Sequence, residues 1–476
     1  MLNTPLRTRR PTLEKSDEPE GNGNTGNPRR ISAGIFHDAV NDDDDVQSYR
    51  GLPGDVFGRE DGHDIKYKRL SWPLVAGLMI TEVVSNGMLT LPSSLAAVGL
   101  VPGILVLLFL GAFATYTASA LIQFKLRHPE VHNMGDAGLI LFGPIGREIL
   151  GTGTIVFAIF TTGSQILAGQ LALSVLSGGK LCTITFAGIF AVAVALASFR
   201  RTLDGLGFLS IAGGLSIVVA GIVGLAGAGA APVQPGDIQV AVASDFTSAF
   251  ISITNPVFAY SGHSMFFLLI SEMKRPRDAM KAALALQIIA TSLYIVFAVV
   301  SYWYIGPDVS SPSVLSLSPL WSKLVFGLAL PNLFIAASLY SHVASKLVFI
   351  RLFRHTKHIY THSVMGWGTW TLLVLFSNSA AFLFAVGIPI FNYLVGITAA
   401  AFVSWYTYGL AGAFWLHDTY HFEGGFQAWL RRPFMLGLNI FTILIGAFIC
   451  LGGLYATIVA LTQASAAGEL PTPFRC

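Results

Sequence analysis

The sequence predicts an all-α membrane protein with eleven transmembrane helices, and three observations predict that fold class. The chain is 53% hydrophobic and 12% charged, whereas a soluble chain has about 25% charged residues. Apolar runs of about 20 residues, the length that crosses a bilayer, recur from Trp72 onward. Two of these runs are interrupted near their middle by polar residues, glycine and proline. We therefore expect the lipid bilayer to surround most of the protein.

Residues 1–68 differ from the rest of the chain. They contain the acidic run 42–45, several basic residues and little apolar material. Such a segment cannot bury enough surface to offset its loss of conformational entropy, so it is predicted to be a disordered cytoplasmic tail. Phosphorylation of Ser16, Ser32 or Ser48 would make the tail regulatory. A solvated leader with no specific role is the alternative.

Eleven candidate helices fill the predicted transmembrane domain at 69–461, which is followed by a short extracytoplasmic tail at 462–476. Apolar runs bounded by turn residues and charges define them. They lie near 72–92, 98–124, 149–176, 181–199, 206–229, 247–271, 282–305, 323–350, 365–386, 388–416 and 434–461. The ninth and tenth are the least clearly divided, because only Gly387 and Pro389 separate them.

The placement of basic residues tests this number of helices. With the tail in the cytoplasm, fourteen Lys and Arg residues fall in inner loops and three fall outside. The inner residues are Lys125, Arg127, Arg147, Arg200, Arg201, Lys274, Arg275, Arg277, Lys281, Arg351, Arg354, Lys357, Arg431 and Arg432, and the outer ones are Lys180, Lys323 and Arg475. Cytoplasmic loops carry such an excess, and one helix more or fewer would scramble it. The pattern predicts a cytoplasmic N-terminus.

The cysteines and titratable residues exclude other classes. Cys182, Cys450 and Cys476 form no spacing pattern, so neither a disulfide framework nor a metal site is predicted. No set of His, Asp, Glu or Cys residues clusters on a common face, so an enzyme is not predicted. The net charge of +3 is small, and no nucleic-acid partner is expected.

The two interrupted helices are the first and the sixth. Ser85–Gly87, followed by Pro92, interrupts the first, and Asn255–Pro256 with Ser261–His263 interrupts the sixth. Broken backbone is tolerated in hydrocarbon only where it lines a protein cavity. A spacing of five helices makes the second copy antiparallel to the first, so we predict a 5+5 inverted repeat plus one extra helix. Paired breaks of this kind indicate the central site of a secondary transporter.

The chemistry of the breaks favours an amino acid as the substrate. Unwinding at Ser85, Asn86 and Gly87 exposes amides at a helix N-terminus, whose partial positive charge suits a carboxylate. Asn255-Pro256 removes a helical hydrogen bond, and Gly262 permits strained torsions. The carbonyl groups exposed there suit an ammonium group. A zwitterion presents both groups.

Four residues are candidates for ion coupling. Glu82 lies in an apolar helix, and carboxylates inside a membrane commonly serve proton relays; packing as a neutral carboxyl is the alternative. His263 is a second candidate, although an interior histidine is often satisfied by hydrogen bonds alone. Ser338 and Ser341 of the eighth helix suit a sodium or proton site against the first helix, and helix packing is their alternative role.

Other polar residues near the breaks have simpler explanations. Lys346 lies five residues from Arg351, so it is expected to extend to the cytoplasmic interface. Glu272–Asp278 is either a salt-bridged inner gate or an ordinary charged loop. Gln165 and Asn392 are expected to form hydrogen bonds between helices.

Four strings resemble the amino acid/auxin permease family, particularly its fungal neutral amino acid permease branch. They are Glu82–Gly103, Gly135–Arg147, Phe258–His263 and Ser271–Asp278, and the resemblance covers about 70–461. It implies an eleven-helix fold of the APC/LeuT type, with proton-coupled uptake in most fungal members. The family's substrate region corresponds here to Ser85, Asn86, Gly87, Tyr260, Ser261 and Gly262. Asn86 departs from the fungal pattern, in which a small or apolar residue commonly precedes the glycine, and this puts the substrate range in doubt.

The expected function is proton-driven symport of neutral amino acids. The proton gradient supplies the energy, sodium is the less favoured ion, and no cofactor is expected. The plasma membrane is favoured over the vacuolar membrane. A permease for polyamines or other amines would need more acidic groups than Glu82, the one clear example. A nutrient sensor of the same fold, signalling through the tail, is the alternative from another functional class.

Overall fold

A computed structural model describes residues 57, 65–202, 204–230, 238–354, 356–388 and 390–468. The proposed phosphorylation sites, most of the predicted N-terminal tail and the end of the predicted C-terminal tail lie outside these residues. The described helices are α1 Trp72–Val83, α2 Asn86–Val98, α3 Leu100–Arg127, α4 Met134–Ser177, α5 Thr183–Ala197, α6 Asp204–Ala230, α7 Phe246–Ala259, α8 His263–Ser271, α9 Ala279–Ile305, α10 Pro319–Phe353, α11 Val364–Gly387, α12 Phe391–Thr398, the π-helix Ala399–Gly409, α13 Leu410–Glu423, α14 Phe426–Leu430 and α15 Pro433–Ala466.

Each predicted span coincides with one to three consecutive described helices, and the all-helical membrane fold is confirmed. By length and apolar character, eight helices in the described part of the chain can cross a membrane, or nine with the bent pair α1 and α2. The count of eleven is not confirmed, because α5 is short and the predicted sixth span is divided into α7 and α8. The third span extends further than predicted, since α4 begins at Met134 and continues through a kink at Gly143, where φ is +69°.

The two broken helices cross near the centre of the fold. The second half of the first pair, α2, packs against the first half of the second pair, α7. The long helix α10 packs against α4 and α6, and α9 packs against α1, α2 and α3. The crossing therefore lies between helices from both halves of the chain, as an inverted repeat requires.

One end of the bundle, which we call the basic end, holds Leu70, Met273 and Lys346. The backbone of Leu70 pairs with the segment after α8: Leu70 N–H donates to Glu272 O at 3.0 Å, and Lys274 N–H donates to Leu70 O at 2.8 Å. Lys346 forms a buried ion pair with Glu272. The expectation that Lys346 extends to the interface is therefore wrong, because a buried carboxylate holds its charge inside the protein.

The opposite end is closed by a second backbone pairing. Leu100 N–H donates to Gln239 O at 3.0 Å, and Val242 N–H donates to Val98 O at 3.1 Å. Gly99 lies between these bonds with φ at +94°, and a Cβ atom there would lie 2.4 Å from Ala241 Cα. Glycine is thus required both by its torsion and by the close approach of the two chains.

Cys182, immediately before α5, is disulfide-bonded. The cysteine spacing suggested no disulfide framework, so this bond was not predicted. Sequence spacing could not reveal the bond, because a disulfide depends on proximity in space.

Candidate functional site

The first break lies between α1 and α2, which meet at 48°. Ser85 has non-helical torsions, with φ at −137° and ψ at −134°. Its hydroxyl donates to Asn332 Oδ1 of α10 at 2.6 Å and accepts from Gln165 Nε2 of α4 at 3.2 Å. The break is therefore held by polar side chains from two neighbouring helices.

Asn86 extends this polar network. Its Oδ1 accepts from Gln165 Nε2 at 3.3 Å, and its Nδ2 donates to Ser164 Oγ at 3.2 Å. Asn332 Nδ2 donates to Thr81 O at 3.2 Å, so the same network reaches the end of α1. The amide of Asn86, which departs from the fungal pattern, therefore contacts α4.

The second break separates α7 from α8. Tyr260 leaves the helix with φ at −95° and ψ at 21°. Gly262 has φ at −72° and ψ at −13°, which are ordinary right-handed torsions. The prediction of strained torsions at Gly262 is therefore wrong. Space is what requires glycine there, because a Cβ atom would lie 2.6 Å from Val83 Cγ2 in the first break.

The two breaks face each other across a short gap. A Cβ atom on Gly87 would lie 3.0 Å from Ala259 Cα. The hydroxyl of Tyr294 in α9 lies 2.7 Å from Val83 O and 2.7 Å from Ala259 O. These are carbonyl groups at the C-terminal ends of α1 and α7. One hydroxyl has a single proton to donate, so two buried acceptors share it.

Glu82 is buried one residue before the end of α1. The hydroxyl of Tyr340 in α10 lies near the Glu82 carboxyl and near the Ser261 hydroxyl. Glu82 Oε1 is buried and has no hydrogen-bond partner among the described residues. Tyr340 thus lies between the carboxyl group of the first break and a hydroxyl group of the second.

Three other predicted residues of the second break make different contacts. His263 Nε2 lies 2.9 Å from Ala114 O of α3, and its Nδ1 is buried without a hydrogen-bond partner in the described structure. The Tyr260 hydroxyl contacts Leu107 O and Thr291 Oγ1, each at 3.2 Å. Asn255 Oδ1 is buried and accepts no hydrogen bond from described residues. The polar atoms of Tyr260 and His263 therefore face α3 and α9.

Ser338 forms a hydrogen bond within α10, and Ser341 forms one with α11. Ser338 Oγ donates to Phe334 O at 2.8 Å within α10. Ser341 Oγ accepts from Asn378 Nδ2 of α11 at 2.6 Å. In the described part of the chain these hydrogen bonds do not join them to α1, and their proposed coupling role stays a prediction.

The site is enclosed in this conformation. The side chains at the breaks are each at most 4% exposed; these are Glu82, Ser85, Asn86, Asn255, Tyr260, Ser261 and His263. Polar groups held away from water in this way bind a polar ligand strongly when they are matched to it.

Sequence reasoning missed three residues that contribute to the site. Asn332, Tyr294 and Tyr340 lie in α9 and α10, more than 30 residues from the breaks that they contact. The signal available for Asn332 was an amide after Pro331 in the middle of an apolar run. Tyrosine in a membrane helix is common and gave no signal.

Two broken helices that cross at a buried polar site define a transporter of the LeuT type. A family model described as "Transmembrane amino acid transporter protein" matches residues 68–459. The chain belongs to this family, which confirms the resemblance noted in the sequence.

Fungal proteins are similar over nearly the whole length. A Gibberella moniliformis protein named "Transmembrane transporter" is 30% identical over 437 residues, covering 90% of this chain and 91% of the relative. The "N amino acid transport system protein" of Neurospora crassa is 29% identical over 448 residues, covering 91% and 94%.

Solved transporter structures share the fold. MhsT in complex with L-phenylalanine is 13% identical, with a TM-score of 0.52, and the match covers 83% of this chain and 99% of MhsT. A Na+-coupled sialic acid symporter in a substrate-bound state is 9% identical, with a TM-score of 0.55 and coverages of 87% and 93%. At these identities the likeness concerns the fold.

Proposed function

We propose that this protein takes up neutral amino acids by proton-coupled symport, binding the substrate between the two helix breaks. The observation that carries the proposal is the single Tyr294 hydroxyl shared by Val83 O and Ala259 O at 2.7 Å each. An ammonium group has three N–H donors and no acceptor, so it satisfies these carbonyl groups better than one hydroxyl does.

Helix dipoles support both ends of a zwitterion. The C-termini of α1 and α7 converge at Tyr294 and carry partial negative charge, which attracts an ammonium group. The N-terminus of α2 begins at Asn86, and its first amides carry partial positive charge, which attracts a carboxylate. Among the described side chains at the two breaks, Glu82 carries the one carboxyl group, so the site suits a neutral amino acid better than a polyamine. The similarity to the "N amino acid transport system protein" of Neurospora crassa supports an amino acid as the substrate.

Glu82 is the proposed proton carrier. It lies beside the first break, and its neighbour Tyr340 also lies near Ser261 in the second break. A change in the charge of Glu82 would therefore act on the second break through its neighbour Tyr340. One proton crossing a potential of 100 mV supplies about 2.3 kcal/mol, which is enough for uphill uptake.

We propose that the basic end faces the cytoplasm. Contacts bring its loops together, since Arg201 donates to His358 O at 2.7 Å and Arg354 donates to Glu130 O at 2.8 Å. The excess of basic residues there follows the positive-inside pattern. Cys182 falls on the other side in this arrangement, and its disulfide fits an oxidising compartment. The plasma membrane is the proposed location.

Purified protein in proteoliposomes tests the proposal. A panel of labelled neutral, acidic and basic amino acids and polyamines is offered while the pH gradient and the sodium gradient are varied separately. We expect accumulation of neutral amino acids that follows the inward proton gradient and is independent of sodium. Accumulation that requires sodium and ignores pH would contradict the proton assignment. Uptake of polyamines alone would contradict the substrate assignment, and binding without flux would favour a sensor.

A further inference from the structure

A second polar cluster lies at the basic end, outside the proposed transport site. His128 follows the last residue of α3, and His417 and Asp418 lie in the last two turns of α13. Each offers one ligand atom, and these atoms lie within 4.8 Å of one another. We propose that His128, His417 and Asp418 form a binding site for a divalent transition-metal ion, with Zn²⁺ as the preferred ion.

The spacing of the ligand atoms suits zinc. His128 Nε2 lies 2.9 Å from Asp418 Oδ1, and His417 Nδ1 lies 3.3 Å from the same oxygen. Around a tetrahedral zinc ion with bonds of about 2.0–2.1 Å, neighbouring ligand atoms are separated by about 3.3 Å. Two of the three separations therefore need only small adjustments to admit the ion.

Neighbouring side chains orient both imidazole rings. His128 Nδ1 lies 3.4 Å from Glu130 Oε1. A metal-binding histidine usually donates its second N–H to such a carboxylate, which leaves the other nitrogen with its lone pair towards the metal. The ring of His417 stacks on that of His421 with centroids 4.2 Å apart. His421 Nδ1 also donates to His417 O at 2.9 Å, so the ring of His421 is itself held in place.

Arg127 could compete with a metal ion for the Asp418 carboxylate, but it is also paired with Glu423. Arg127 Nη1 lies 3.5 Å from Asp418 Oδ2, but Arg127 Nη2 lies closer to Glu423 Oε1, at 3.1 Å. Glu423 also pairs with Arg432 at 2.9 Å. Arg127 contacts the carboxylate oxygen that the two histidines do not, so Asp418 Oδ1 can bind the metal while Arg127 keeps its place.

The donor set decides the class of ion. Imidazole nitrogens with one carboxylate suit Zn²⁺, Ni²⁺ or Cu²⁺, whereas Mg²⁺ and Ca²⁺ prefer oxygen ligands throughout. Three protein ligands leave at least one coordination position for water. The bound ion would join the end of α3 to α13. Sequence spacing could not reveal the site, because 290 residues separate His128 from Asp418.

Metal titration of the purified full chain tests the proposal. After treatment with a chelator, ZnCl2 is titrated calorimetrically, and Co²⁺ is titrated while visible absorption is recorded. We expect one saturable ion per protein, Co²⁺ bands with the intensity of four-coordinate nitrogen and oxygen ligation, and no competition from Mg²⁺. His128→Gln, His417→Gln and Asp418→Asn should each lower the affinity at least tenfold, and Glu130→Gln about tenfold.

The control variant is His362→Gln, a histidine in the loop between α10 and α11, which should bind as the unchanged protein does. Variants are compared only where gel filtration and metal-free thermal unfolding match the unchanged protein. The Co²⁺ spectrum of the unchanged protein supplies a test that needs no variant. Absence of saturable binding, a Co²⁺ spectrum of the free aqueous ion, or full affinity in the His128→Gln/His417→Gln double variant would overturn the proposal. None of these readouts depends on transport.

Discussion

At the scale of single residues, Tyr294 gives the sharpest test of the proposed substrate site. Its hydroxyl is the donor that two helix-terminal carbonyl groups share. Tyr294→Phe keeps the ring, which packs edge-on against Tyr260 with centroids 5.2 Å apart. Removing the hydroxyl leaves both carbonyl groups without this donor, at a cost of about 1–3 kcal/mol.

We expect Tyr294→Phe to lower the unfolding temperature of the substrate-free protein and to enlarge the rise produced by a saturating neutral amino acid, because the ammonium group restores the missing hydrogen bonds. Thermal unfolding in detergent with and without substrate measures both effects. Tyr302→Phe is the control, since its hydroxyl contacts Gln239 N–H at 3.3 Å, at the opposite end. An unchanged substrate-induced rise in Tyr294→Phe would place the ammonium group elsewhere.

Glu82→Gln separates coupling from binding. The amide keeps the size of the side chain and its contact with Tyr340, but it cannot exchange a proton. We expect accumulation driven by the pH gradient to fall to the level of passive equilibration, while exchange of labelled for unlabelled substrate continues. Counterflow and gradient-driven uptake in the same vesicles distinguish the two. Full accumulation in this variant would make Glu82 a packing residue.

At the scale of helical elements, the crossing of the two breaks depends on small residues. Gly262 has ordinary helical torsions, yet a Cβ atom there would lie 2.6 Å from Val83 Cγ2. We expect Gly262→Ala to destabilise the closed crossing by about 1–3 kcal/mol, because it overpacks the contact. Adding Val83→Ala should recover part of that loss, since it removes the clashing methyl groups.

Thermal unfolding of the single and double variants measures this effect. Gly368→Ala in α11 is the matched control, because no atom lies within 4 Å of the Cβ position there. That change should be neutral or slightly stabilising, as alanine favours a helix. Additive losses in Gly262→Ala and Val83→Ala would show that the two residues do not compete for space.

A helix or a helix break could be predicted from sequence where the residues of that segment alone determine it. Apolar length indicated α9 within three residues, since 282–305 was predicted and Ala279–Ile305 is found. Both breaks were indicated by residues that disfavour helix locally. The partners of the breaks were not predictable, because Asn332 meets Ser85 across 247 positions of the chain. Lys346 was misassigned for the same reason: Glu272, its buried partner, lies on another helix pair.

At the scale of the whole molecule, stability should depend on pH through His132, in the loop between α3 and α4. Its ring is fully buried, and both ring nitrogens lack hydrogen-bond partners among the described residues. Burial, and then the charges of Lys346, Lys125 and Arg354, hold the pKa of His132 well below its ordinary value. The folded protein thus keeps the ring neutral where the unfolded chain protonates it.

The sign follows from that difference. Above about pH 6.5, the ordinary pKa of histidine, neither the folded nor the unfolded state binds the proton. In that range His132 does not lower the free energy of unfolding. Below that pH the unfolded chain binds one proton more, so stability falls by up to about 1.4 kcal/mol per pH unit. We expect His132→Phe to lose less stability than the unchanged protein between pH 7.5 and pH 5. Parallel unfolding curves for the two proteins over this range would contradict the expectation.

The two backbone pairings have a mechanical consequence for the membrane. Leu70, at the start of the first broken pair, is joined to the end of the second, and Val98, at the finish of the first pair, is joined to the segment that precedes the second. The two helix pairs cross between these two backbone pairings. A tilt of one helix pair about the crossing would therefore lengthen one backbone pairing while it shortens the other. We expect such a linkage to oppose a continuous aqueous leak, because a motion that opens one end of the crossing would close the other.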